Sequence, residues 1–148
     1  MDIQKLIKPK SIAVVGVTDK PGFGRGAAQG ALNSRIVEHA YFVHPKKTEL
    51  FGKKCYPNIS SLPEVPECVV LATNCHTIPG LLEEAGAFGV KAAVIYASGF
   101  SEENTEEGIA LEEQVKEIAR KYDMCICGPN CMGMLNNVDK INLWGGHT

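Results

Sequence analysis

The chain contains no CxxC pair, no apolar run of bilayer-spanning length and almost no net charge. Each absence removes a class of function. Six cysteines are present, at Cys55, Cys68, Cys75, Cys125, Cys127 and Cys131, but they lack metal-ligand spacing. Only Cys131 lies near the Cys125–Cys127 pair, which is too few ligands for a closed metal site. Buried, reduced thiols are expected instead. The first ten residues, MDIQKLIKPK, hold no signal-peptide core, and no segment suits a membrane, so a cytoplasmic location is expected. A formal net charge of −2 offers no global attraction to nucleic acid or to an anionic bilayer. Any phosphate must therefore be held by local design.

What is present reads as one α/β domain over residues 1–148, without internal repeat, low-complexity tract or linker. Five apolar runs predict strands: SIAVVG (11–16), AYFVH (40–44), CVVLAT (68–73), AAVIYA (92–97) and MCICG (124–128). They do not alternate cleanly, as strands covered on both faces do not. Helical spacing predicts helices over 24–37, 78–88 and 104–122. The last carries Leu111, Val115, Ile118 and Tyr122 on one stripe, acids near its start and Arg120–Lys121 at its end. Segment 45–66 reads as loop with one short helix at 59–62. The order β-α-β-loop-β-α-β-α-β predicts a doubly wound parallel sheet with right-handed crossovers. The tail ends soon after an apolar piece, Ile141 to Trp144, without a capping helix, as expected of a domain cut from a longer chain.

The stretch GVTDKPGFGRGAAQG (16–30) carries five glycines directly after the first strand. A glycine-rich strand-to-helix turn lets backbone approach an anion, and the free N–H groups of the helix start attract it. A dinucleotide fingerprint would need Gly-x-Gly-x-x-Gly at once; here Gly16-Val17-Thr18 opens the turn and GFGRGA comes six residues late. The loop ends at a first helical turn holding Gly24, Arg25 and Gly26, with the Thr18 hydroxyl nearby. After the second strand, NAD sites place an acid for the ribose diol. This chain has His44, Lys46 and Lys47 there, and two ammonium groups favour a phosphorylated ribose, each charge-assisted bond contributing about 1.5–3 kcal/mol. NADP and coenzyme A both satisfy that condition. Lys53 and Lys54, further along behind Gly52, read as plain loop lysines.

No Ser-His-Asp set or carboxylate pair stands out, and nothing in sequence marks a base beside Cys131. His39 reads as a helix-end or surface residue. His44 is placed to flank a nucleotide, His76 to start a helix at the mouth of the third turn, and His147 to lie near the terminus.

The strings PKSIAVVGVTDKPGFG, FVHPKKTELFGKKCYPNISSLPEVPECVVLAT, GVKAAVIYASGFSE and GPNCMGMLN resemble the CoA-binding domain of NDP-forming acyl-CoA synthetases, the family of ADP-forming acetyl-CoA synthetase and the succinyl-CoA synthetase alpha subunit. The resemblance covers nearly the whole chain. It implies a Rossmann-like fold with coenzyme A as cofactor across the carboxyl edge of the sheet. Gly16, Thr18, Asp19, Lys20, Gly22, Phe23 and Gly24 would form the nucleotide-phosphate loop. Lys46 and Lys47 each match a family lysine. Thr73, Asn74 and Cys75, then Tyr96, Ala97 and Ser98, would wall the ligand, and Asn130 would face the reaction centre. The chain departs from the pattern at Val17–Thr18, where relatives often carry a small residue and Ser, and at Met132, where Pro or Leu is usual. The implied reaction joins an acid to CoA as a nucleoside triphosphate becomes diphosphate and phosphate. Its phosphoryl-relay histidine belongs to a following domain, so further ligase domains or a second subunit are the expected partners, and these residues alone are expected to be inactive. The residues also leave open an NADP-binding oxidoreductase domain and a stand-alone regulatory CoA-binding protein.

Overall fold

The computed structural model describes residues 2–145. A short helix α1 (Gln4–Ile7) leads into β1 (Ile12–Val15), followed by α2 (Phe23–Leu32), β2 (Ala40–Val43), the short β3 (Glu49–Leu50), β4 (Lys53–Tyr56), β5 (Cys68–Leu71), α3 (Ile78–Phe88), β6 (Ala92–Ile95), α4 (Glu106–Tyr122), β7 (Cys125–Cys127), β8 (Leu135–Asn136) and β9 (Ile141–Asn142). Seven strands form one sheet in the order β3-β4-β2-β1-β5-β6-β7, and every pairing is parallel except β3 with β4. Strand order reverses between β1 and β5, so the chain winds outward in both directions from that seam. This is the doubly wound α/β fold that the apolar runs predict.

The runs do not alternate because both faces are covered. Ile12, Val14, Phe42, Cys68, Val70 and Val94 pack beneath Ala27, Ala28 and Ala31 of α2 and Leu6 of α1. Ala13, Val15, Val69, Leu71, Ala93 and Ile95 pack beneath Ile78, Leu82 and Ala85 of α3 and Leu111 and Val115 of α4. Each fully buried aliphatic side chain contributes about 1.5–3 kcal/mol of transfer free energy. Helix α4 starts where the Thr105 hydroxyl accepts the Gly108 N–H at 3.0 Å, and it ends at Asp123 in the left-handed region.

Three segments differ from expectation. Helix α2 stops at Leu32 rather than running to residue 37, because Ser34 is drawn into the tail. Its hydroxyl donates to the Gly30 carbonyl at 2.9 Å and accepts the Asn142 N–H at 2.8 Å. Segment 45–66 contains a hairpin, β3–β4, whose Phe51-Gly52 turn has both φ angles positive (53° and 76°), the requirement of a two-residue hairpin turn. Lys53 and Lys54 consequently lie in a strand: Lys53 donates to the Val37 carbonyl at 3.1 Å, and Lys54 sits over the Tyr56 ring. A 3-10 turn at Ile59–Ser61 stands where the short helix is predicted. In the tail, β8 and β9 pair, and Ile141 and the following Leu143 join the α2 side of the core.

Candidate functional site

The carboxyl ends of β1, β5, β6 and β7 reach one rim. Where β1 and β5 meet, the backbone is too close for side chains. A Cβ on Gly16 (φ +90°) would lie 2.5 Å from the Ala72 carbonyl oxygen, and one on Gly24 would collide with the Gly16 carbonyl oxygen. The start of α2 is thus pressed against the end of β1. No side chain caps this helix, and its first backbone bond is Gly26 N–H to the Gly22 carbonyl, so the N–H groups before it have no partner within the helix. Inside the loop, Thr18 Oγ1 accepts the Lys20 N–H at 3.1 Å.

Beside this loop lies a cleft of about 400 Å³, walled by Phe23 of α2, residues 72–75 after β5, 96–98 after β6 and 130–132 after β7. Phe23 and Tyr96 stack, with centroids 5.1 Å apart and planes 23° from parallel. The Tyr96 hydroxyl donates to the Leu143 carbonyl at 2.8 Å, and burial pushes its pKa well above the usual phenol value. Tyr96, buried behind Phe23, thus supports the cleft wall, and the exposed ring there is that of Phe23. The turn after β5 is braced from within: Asn74 Oδ1 accepts the His76 N–H at 3.1 Å, and the Thr77 hydroxyl donates to the Asn74 carbonyl. Asn130, at φ +56°, donates its N–H to the Ala97 carbonyl at 2.8 Å and so ties the turn after β7 to the turn after β6. Next to it, Cys131 Sγ lies 3.2 Å from the Ile95 carbonyl oxygen and 3.8 Å from Cys127 Sγ. The hydrogen bond from the Cys127 thiol pulls the Cys131 thiol below the usual cysteine range and raises that of Cys127.

The lysine turn stands at the other end of the rim. His44 Nδ1 accepts the N–H of Lys46 at 3.0 Å and that of Lys47 at 2.9 Å. His44 thus shapes the turn, a role its sequence position does not reveal. Lys47 Nζ lies 3.8 Å from Asp19 Oδ2, which links this turn to the glycine loop.

Of the predicted site residues, Phe23, Thr73, Asn74, Cys75, Tyr96, Ala97, Ser98 and Asn130 share the one cleft. Gly16, Thr18, Asp19, Lys20, Gly22, Gly24, Lys46 and Lys47 do not line it. They form the neighbouring loop and turn, and Gly22 faces a separate groove of about 480 Å³ between α2 and the tail residues Asn142 and Trp144. Ala72, Cys131 and Met132 also line the cleft without having been predicted. For Cys131 and Met132 a signal existed, since they follow Asn130 directly in GPNCMG. His76 stays outside, 3.3 Å from Glu107, and His39 pairs with Glu64 at 2.9 Å. His147 lies outside the described residues. Among the described residues no group of three or more His, Cys, Asp or Glu could hold a metal ion, and no helix is long and apolar enough to cross a membrane.

Residues 10–137 match the CoA binding domain family. The chain belongs to that family. This CoA binding domain is 37% identical over 146 residues to a trans-feruloyl-CoA synthase from an unknown prokaryotic organism, covering 95% of the chain and 20% of that protein. It is 36% identical over 138 residues to the ADP-forming acetate–CoA ligase II of Archaeoglobus fulgidus, covering 91% and 20%. In three dimensions it superimposes on acetyl-coenzyme A synthetase 1 of Ca. Korarchaeum cryptofilum, solved with phosphate and ADP. The TM-score is 0.90 at 33% identity, covering 99% of this chain and 31% of that one. The chain thus spans between about a fifth and a third of the length of the curated relatives it matches.

Proposed function

We propose that residues 1–148 bind coenzyme A as the nucleotide-binding module of an NDP-forming acid–CoA ligase, which converts acid, CoA and nucleoside triphosphate to acyl-CoA, nucleoside diphosphate and phosphate. One observation carries this reading. Phe23 is both the first residue of the uncapped helix α2 and a wall of the cleft, so a single elongated ligand can run from loop to cleft. The residues fit the two ends of such a molecule. The diphosphate sits at the glycine loop, received by N–H groups of residues 18–24 and the start of α2, by the Thr18 hydroxyl and by Lys20. The 3′-phosphate sits at Lys46 and Lys47. The uncharged pantetheine arm lies on the aromatic and amide walls of the cleft, with its thiol end toward Asn130. The phosphoryl-relay histidine comes from further ligase domains or a second subunit, and these residues alone bind without turnover.

Isothermal titration tests the reading. Coenzyme A binds, dephospho-CoA binds roughly tenfold or more weakly, and no acyl-CoA forms with acid and nucleotide. Equal affinity for the two thiols removes the lysine assignment. Binding of NADPH without binding of CoA replaces the ligase reading with a reductase one.

A further inference from the structure

The turn after β7 brings two thiols together at the edge of the cleft. Cys131 Sγ lies 3.8 Å from Cys127 Sγ and 3.5 Å from the Cys127 carbonyl oxygen, so its side chain is folded back over Cys127. Cys131 also lines the cleft and is reachable from it. The other cysteines differ. Cys55, Cys68 and Cys125 are buried, and Cys75, half-buried and also lining the cleft, has its thiol packed against Gly99 and not against another sulfur. Among the described residues, 127 and 131 form the one sulfur–sulfur contact.

We propose that Cys127 and Cys131 are a redox-modification site, a resolving and an attacking thiol that a low-molecular-weight disulfide converts into an intrachain disulfide at the wall of the cleft. The Cys131 thiolate attacks one sulfur of the reagent RSSR. That S–S bond breaks, RS⁻ leaves and a Cys131 mixed disulfide forms. Cys127 then loses its proton to solvent and displaces the second RS⁻, closing Cys127–Cys131. Two protein thiols are oxidised, and one RSSR is reduced to two RSH. Closure needs about 2 Å of sulfur movement, from contact to the bonded distance of about 2.05 Å. Cys131 is half-buried, as Cys127 is. The hydrogen bond from Cys127 favours the nucleophilic thiolate of Cys131, and the Cys131 S–H bonds to the Ile95 and Cys127 carbonyls are given up when that thiolate forms.

The test incubates the reduced chain with oxidised glutathione, quenches with acid and maps peptides by mass. In the wild-type chain, the peptide holding residues 125–131 loses two hydrogens and retains no glutathione. C127S accumulates glutathione on Cys131. C131S lowers the rate of thiol loss at least about tenfold. A wild-type chain that keeps glutathione on Cys131 overturns the proposal, as does reaction of Cys75 ahead of Cys131 or a C131S chain oxidising at the wild-type rate. The wild-type map decides by itself if a serine variant fails to fold, which its thermal melt reveals.

Discussion

After β5, β6 and β7 the turns fasten onto one another. Asn130 holds the Ala97 carbonyl, Tyr96 is buried and tied to Leu143, and the Asn74 amide braces its own turn. After β1 and β2 the rim is open. Lys47 and Asp19 face each other at 3.8 Å with 50% and 61% of their side-chain surface exposed, and the turn is shaped by a histidine accepting two backbone N–H groups. The closed half gains its geometry from the same packing that stabilises the fold. The open half carries charges that contribute little to stability in solvent, and they matter when an anion arrives. Shape and charge are thus specified by different parts of one rim.

Substitutions can break that division, and the largest effect belongs to the junction of the halves. Gly24→Ala drives a methyl into the Gly16 carbonyl oxygen and costs about 2–4 kcal/mol of stability in urea unfolding. A loss below about 1 kcal/mol would show that the loop yields and is not clamped. Next comes Lys46→Ala with Lys47→Ala. It weakens coenzyme A roughly tenfold or more by titration, leaves dephospho-CoA within about twofold, and leaves the melting temperature unchanged. Equal weakening of both ligands would mean that the turn serves shape and not charge. Tyr96→Phe removes the buried bond to Leu143 and costs about 1 kcal/mol in the same urea experiment, placing the hydroxyl on the structural side of the comparison. Smallest is Asp19→Asn, which frees Lys47 from its carboxylate and tightens coenzyme A about twofold; weaker binding would show that Asp19 itself serves the ligand.

The sequence displays the closed half more fully than the open one. Strands β5 and β6 are buried on both faces, so their apolar runs stand out, and the turns that follow are found by counting past them. The lysine pair is visible as two charges, yet the role of His44 depends on which ring nitrogen meets which N–H. Hairpin β3–β4 escapes because Phe51, a bulky residue, adopts positive φ where a turn signal would call for Asn, Asp or Gly. The tail hairpin and the early end of α2 both depend on Ser34 meeting Asn142, residues 108 positions apart, which no local pattern encodes. The Cys127–Cys131 contact escapes for a related reason. A spacing of four brings two sulfurs together only if the turn between them folds back, and that is settled by the Asn130 bond to Ala97.

The stacked rings of Phe23 and Tyr96 bridge the start of α2 and the end of β6, with Gly145 backbone packed against both. With that platform already assembled, little has to move to admit a guest. Occupancy should then appear as a sharpening of the rim's existing conformation, with a modest ordering entropy and fast capture, not as a slow closure around the visitor.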